Sequence, residues 1–336
     1  MQKIIRSLCY FTEELDDTIP HRLSVLKAKI EKAGYQIQTE RICADTKNFI
    51  GLETAYPQKN LLLSIGKCDL KYVIENKYDF FKAARTSCHI DITSGIEMTH
   101  VEFLFDIIKE APEKLFQFAF VANNASSSPY FPSAKFAKNG FALGMQSTDL
   151  GAGCKSLQDW FANMQQVWAE LIALFGDTPD FLGIDSSVAP LFSGDSSLVS
   201  HINRFYGSFE EAILSDTFLK ITHFIKTKNP KPVGLCGLMF PCLEDFELAK
   251  LYEQGSFGIE RNLFLSMHSG LGIDTYPIAV DEPPERVLSI LKLLRGLSNK
   301  YQKPLSARFI SDGKAKLGEQ TNFGNQFLKD VIVGRL

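Results

Sequence analysis

Short apolar runs rich in Val, Ile, Leu and Phe recur near residues 4–11, 35–42, 60–65, 86–92, 115–122, 140–146, 181–186, 233–240, 273–279 and 304–310, giving ten candidate strands. Helical patterns fill most of the gaps. Residues 19–33 end at Gly34, a natural left-handed C-cap; 154–174 hold both tryptophans; 283–297 open on prolines suited to a first helical turn. Alternation of this kind predicts an α/β architecture. The strands are apolar on both sides rather than alternating with polar residues, so the sheet is expected to be buried on both faces, as in a barrel wrapped by helices. An eight-stranded (β/α) barrel fits the pattern about as well. Residues 123–138, with Ser126-Ser127-Ser128-Pro129 and Phe131-Pro132, break the alternation and read as a long loop, functional or a plain surface excursion.

Composition narrows the class. The chain has 336 residues, is 45% hydrophobic and 22% charged, and so can bury a large core. Its 36 basic and 39 acidic residues are dispersed and leave a net charge of −3, without a stripe to track a phosphate backbone; nucleic acid is an unsuitable partner. The apolar N-terminal run meets Glu13, Glu14, Asp16 and Asp17 too early for a signal peptide, and no run reaches the ~18 residues of a membrane span. A cytoplasmic protein with no membrane partner is expected. Seven cysteines without a Cys-x-x-Cys pair read as reduced, buried small hydrophobes.

Candidate chemistry gathers at strand-to-helix junctions, where α/β folds place functional side chains. Asp185, Glu244, Asp245 and Asp274 follow or lie in three candidate strands; converging, they would suit Mg²⁺, Mn²⁺ or Ca²⁺. The alternative is that each caps its own turn or helix. His268 is a candidate base or ligand, set six residues before Asp274. Beside it Ser269 offers a hydroxyl, but neighbours on a helix do not face each other, which argues against a Ser-His pair. Arg41 closes the second candidate strand and Arg308 the last, and both are suited to fork onto a carboxylate or phosphate. Gln146 and Asp149 are candidate polar wall residues, and Thr275 a further substrate contact. Cys88 and His89 point to opposite faces of a strand, whereas His89 and Asp91 share one. The loop 313–318, with Lys314 and Lys316, matches no Walker motif.

Six stretches together resemble the domain of unknown function 711 family, also catalogued as uncharacterised protein family 0210: 4–6 (IIR), 34–42 (GYQIQTERI), 183–190 (GIDSSVAP), 237–245 (GLMFPCLED), 272–277 (GIDTYP) and 303–308 (KPLSAR). The resemblance implies a ten-stranded α/β barrel with helices outside, similar to that of the pyruvate formate-lyase-like glycyl-radical enzymes, here as one domain over 1–336. It does not imply their chemistry, because the chain ends VIVGRL without an Arg-Val-x-Gly-aromatic radical loop. Ser269 stands where the family commonly has a cysteine. The resulting expectation is a hydrolase or lyase acting on a small polar, anionic metabolite, with Asp185, Glu244, Asp274 and His268 as acid/base or metal-binding groups. Its alternative is a ligand-binding or scaffold protein without catalysis. Phe-rich runs such as Phe116-Gln117-Phe118 leave room for a homodimer interface.

Overall fold

The computed structural model describes residues 2–336. It is a mixed α/β fold built on one ten-stranded sheet: β1 (Ile4–Thr12), β2 (Gln36–Ile37), β3 (Glu40–Ala44), β4 (Leu61–Cys68), β5 (Thr86–Asp91), β6 (Phe118–Ala122), β7 (Gly140–Met145), β8 (Phe181–Asp185), β9 (Gly272–Pro277) and β10 (Leu305–Ile310). The order is β8-β7-β1-β3-β4-β5-β6-β10-β9, with β2 added to β1. Strands β1, β3, β4, β5 and β6 run parallel to one another; β7 and β8 on one side, and β9 and β10 on the other, run the opposite way.

The run 35–42 is broken into β2 and β3. The run 233–240 forms no regular strand. It sits between the sheet's two edge strands and touches both sides through isolated bridges, Ile184↔Pro232 and Val188↔Leu238 on the β8 side, Leu238↔Gly270 and Pro241↔Asp274 on the β9 side. Two left-handed residues explain why a ladder does not form there: Gly234 has φ +74° and Cys236 φ +45°. Gly234 is required twice over, since a Cβ would lie 2.2 Å from Asp185 Oδ2 and 2.8 Å from Ser128 Cα. The ten strands of the sheet are thus not the ten expected runs: one splits and one drops out.

The predicted helices form over Ile19–Lys32, Leu157–Phe175 and Pro284–Tyr301, the first followed by Gly34 at φ +87°. Helices Met98–Glu110, Thr217–Thr227 and Ile259–His268, not singled out by pattern, complete the larger set. The main buried apolar cluster draws on residues from Ile5 to Leu336, and all seven cysteines are buried free thiols. Among the described residues no helix is long and apolar enough to cross a membrane.

The loop 123–138 is an interior feature rather than a surface excursion. Ser127 to Tyr130 and Pro132 to Ala134 are buried. Buried backbone needs partners, and here two proline carbonyls supply acceptors. Pro129 O accepts from Ser7 Oγ at 2.7 Å and Pro132 O meets His89 Nδ1 at 3.1 Å, while Ser128 Oγ donates to Asp185 at 2.8 Å.

Candidate functional site

Two β-bulges build the site. Along β1 the pairing with β7 passes from Ile5↔Met145 to Ser7↔Gly144, leaving Arg6 as the extra residue. Along β9 the pairing with β10 passes from Ile273↔Ala307 to Tyr276↔Phe309, so Asp274 and Thr275 together oppose Arg308. A bulge interrupts the alternation of side chains and re-aims the residue it carries. Thr275 absorbs the irregularity at φ +38°, uncommon for a β-branched residue, and its Oγ1 is sealed without a partner.

The re-aimed side chains meet in one network. Arg308 Nε donates to Asp274 Oδ1 at 2.7 Å, and its Nη2 to Glu244 Oε1 at 2.8 Å. Arg6 Nη2 donates to the other oxygen, Glu244 Oε2, at 3.1 Å, and its Nη1 to Gln146 Oε1 at 3.0 Å. Burial alone would pull the Arg308 guanidinium down, but the charges of Asp274 and Glu244 outweigh it and hold its pKa above the ordinary arginine value. Two arginines and two carboxylates make the network neutral. Both Glu244 oxygens are engaged; Asp274 keeps Oδ2 free of any hydrogen bond among the described residues.

Arg41 is different. It opens β3 rather than closing a strand, is only 8% exposed, and has no carboxylate within ion-pair distance among the described residues. Its Nε donates to Thr39 Oγ1 at 2.9 Å and its Nη1 reaches Pro129 O at 3.4 Å, with the guanidinium 5.0 Å from the Phe131 ring centroid. Burial, and then the charge of Arg6, lower its pKa to about 10, which leaves it a cation at neutral pH.

Arg6, Arg41, Glu244, Asp274 and Arg308 line one cavity of about 150 Å³, walled in part by Phe116 and by Phe131 of the interior loop. The site was expected at the carboxyl ends of strands. It lies instead against Arg6 and Arg41 in the amino-terminal halves of β1 and β3, Gly272 and Asp274 in that of β9, and Ser306 and Arg308 in the middle of β10.

Other expected site residues lie elsewhere. Buried Asp185 accepts five hydrogen bonds, from Ser187 N and Oγ, Cys236 N, Ser128 Oγ and Leu235 N, at 2.6–3.1 Å, and so ties β8 to the interior loop and to the irregular segment. Asp245 caps two helices: Oδ1 accepts from Glu247 N and Leu248 N, Oδ2 from Leu198 N and Val199 N. Burial raises its pKa to about 6. Among the described residues no three His, Cys, Asp or Glu side chains gather closely enough to hold a metal ion, so the four expected carboxylates do not converge. Gln146 is a buried support for Arg6, also bonded to Thr148, and Asp149 accepts from Ser196.

His268 Nδ1 does meet Ser269 Oγ, at 2.8 Å, because Ser269 lies beyond the last residue of its helix, where helix-interior spacing no longer applies. Ser269 is 2% exposed, leans on Thr222, and with His268 lies off the cavity. Asp91 pairs with Lys67 at 2.6 Å rather than with His89. Lys314 and Lys316 are exposed and do not line the cavity. Arg6 is the site residue that sequence reasoning missed; the signal was one charged residue inside the apolar run IIRSLCYF.

This is a mixed α/β protein whose bulged strands hold a buried arginine–carboxylate network against a cavity. Residues 48–325 match the family model described as Uncharacterised ACR (DUF711), and the chain belongs to that family. Four of the six resembling stretches fall inside the matched residues; those at 4–6 and 34–42 precede them. No curated protein shows detectable similarity to the chain.

Proposed function

We propose that the protein is a cytosolic enzyme that binds a small polar, anionic metabolite in this cavity and transforms it by acid/base chemistry of the hydrolase or lyase type. The observation that carries the reading is the pairing of an engaged carboxylate with a partly free one. Arg308 pairs with both Glu244 and Asp274 and Arg6 pairs with Glu244, and Asp274 Oδ2 remains open to take a proton from a bound molecule. An arginine already sits where a cation would balance each carboxylate, so the acid/base form of the reading is preferred to the metal-assisted form with Mg, Mn or Ca. Arg308, expected to orient an anionic group, is read here as the holder of the two carboxylates.

The same reading takes the sheet as a barrel. Five parallel strands from β1 to β6 face a second set formed by β7, β8, residues 232–241, β9 and β10, and side chains from both sets line one cavity. A non-catalytic binding protein is the second reading, favoured by the capping roles of Asp185 and Asp245. The two part on turnover. Against a panel of small carboxylate esters, amides and hydroxy acids, the enzyme reading expects turnover that falls about 10²-fold or more in an Asp274→Asn that still melts cooperatively. Wild-type rates in a cooperatively melting Asp274→Asn would refute it, and binding without turnover across the panel would favour the second reading.

A further inference from the structure

We infer that Arg41 is the anchor for a single carboxylate on the ligand, so that the substrate class is a small monocarboxylic acid carrying a proton-donating group toward Asp274. The inference rests on the reading of the cavity as a ligand site and adds which charge it takes, where it docks, and how large it is.

Charge comes first. Arg6, Arg308, Glu244 and Asp274 sum to zero and satisfy one another. Arg85 also borders the cavity, but its guanidinium is spent on backbone carbonyls of Glu53, Tyr56, Gln58 and Leu61. Arg85 likewise lacks a carboxylate, but it is half-buried and its terminal nitrogens are filled, so Arg41 is the buried cation of the cavity that has neither a carboxylate partner nor a full set of acceptors. A buried unpaired charge is expensive to hold, and one incoming negative charge removes the imbalance. The second charge of a dianion such as phosphate would have only Arg85 left to balance it, whose guanidinium is already filled by backbone carbonyls.

Geometry comes second. Of the five N–H groups of a guanidinium, Arg41 commits one firmly to Thr39 and one weakly to Pro129, and its Nη2 has no partner among the described residues. Nor is Nη2 among the sealed polar atoms, so it keeps accessible surface on a residue that lines the cavity. Phe131 lies against the guanidinium and fixes its plane. An oriented fork with an open edge is the arrangement that receives a planar carboxylate, whereas a lysine would offer only a point charge.

Size comes third. A cavity of about 150 Å³ equals in volume an engineered apolar cavity that admits benzene. It leaves room for a carboxylate with a short or flat body between the Phe116 and Phe131 walls. The free Asp274 Oδ2 is the remaining polar demand, met by a hydroxyl, an ammonium or an acidic C–H on that body.

The experiment measures binding of acetate, benzoate, benzamide and inorganic phosphate to the full chain by calorimetry and thermal shift, in wild type, Arg41→Gln and Arg41→Lys. A carboxylate is expected to bind and to raise the melting temperature. Benzamide, which has the body of benzoate without its charge, is expected to bind at least tenfold more weakly, and phosphate more weakly than the better carboxylate. Arg41→Gln should lose at least tenfold in carboxylate affinity. Should that variant fail to fold, Arg41→Lys keeps the charge without the fork and is expected to lose several-fold. Carboxylate binding equal in wild type and in the folded Arg41 variants, or phosphate binding the tighter, overturns the anchor and leaves the cavity reading standing. No binding of any of the four by wild type overturns the anchor and the cavity reading together.

Discussion

Removing the charge of Glu244 tests the network directly. Glu244→Gln preserves volume, but an amide offers one acceptor oxygen to two guanidinium groups that now bond one carboxylate oxygen each, at 2.8 and 3.1 Å. Its NH₂ group would face a donor. Breaking a buried ion pair from one side costs about 3–5 kcal/mol. The low end applies, because Arg308 keeps Asp274 and Arg6 keeps Gln146. Unfolding entropy of about 2.1 cal/mol/K per residue over 336 residues gives about 0.7 kcal/mol/K, so about 3 kcal/mol lowers the melting temperature by about 4 °C. Differential scanning calorimetry reads this at low salt and in 0.5 M NaCl. Glu75→Gln, which breaks the exposed Lys71–Glu75 pair at 3.9 Å, is the control and should shift the melt little. A Glu244→Gln melt within about 1 °C of wild type, or a loss that salt screens away, would refute the buried network.

Three further outcomes follow from the geometry. Gly234→Ala should destabilise by well over the roughly 1–2 kcal/mol of a left-handed alanine, because its Cβ meets Asp185 Oδ2 and Ser128 Cα; Gly34→Ala, at φ +87° with nothing within 4 Å, should cost only that strain, and equal losses in urea melts would contradict the close approach. Elemental analysis of chelator-free protein beside Asp274→Ala should find no stoichiometric Mg, Mn or Ca; near-stoichiometric metal lost in the variant would reverse the preference for metal-free acid/base chemistry. His89 is fully buried and burial depresses its pKa from 6.5 to about 4, so between these values the unfolded chain takes up a proton that the fold refuses and stability falls with pH. At about 1.36 kcal/mol per pH unit, the loss between pH 7 and 5 should be about 2 kcal/mol smaller in His89→Gln, and equal slopes would show that His89 is not buried as a neutral ring.

The fold was legible where an apolar run met no local exception. Ile4 to Phe11 and Leu305 to Ile310 form strands because all but Arg6 and Ser306 are buried, which suits an extended backbone packed on both faces. Residues 233–240 look as apolar, yet Gly234 and Cys236 turn left-handed, a choice dictated by Asp185 and Ser128 far away in sequence. For the site, Glu244, Asp274, Arg41 and Arg308 were visible as charges at strand ends. Sequence could not separate them from Asp185 and Asp245, because an Asp that caps a helix and an Asp that faces a cavity carry the same local signature. What divides them is the identity of distant donors: Leu198 and Val199 fill Asp245, whereas Arg308 takes only one oxygen of Asp274. Arg6 stayed hidden because the register shift that exposes it belongs to the pairing of β1 with β7, not to β1 alone.

The two bulges also account for why this site is built from arginines. A charged residue in a strand buried on both faces must be satisfied in place, since it has no solvent face to reach. Arg6 and Arg308 sit on neighbouring half-sheets of opposite direction, and each lies at a bulge. Glu244, on the turn after Pro241, is the one carboxylate that reaches both. The network therefore bolts strands β1 and β10 to residues 232–241, the part of the sheet that lacks a regular ladder. Arg41 is held by neutral partners alone and joins no such bolt. Stability explains Arg6 and Arg308 completely. It does not explain a buried cation with an open edge, and that asymmetry between otherwise similar arginines is what sets Arg41 apart from the frame of the cavity.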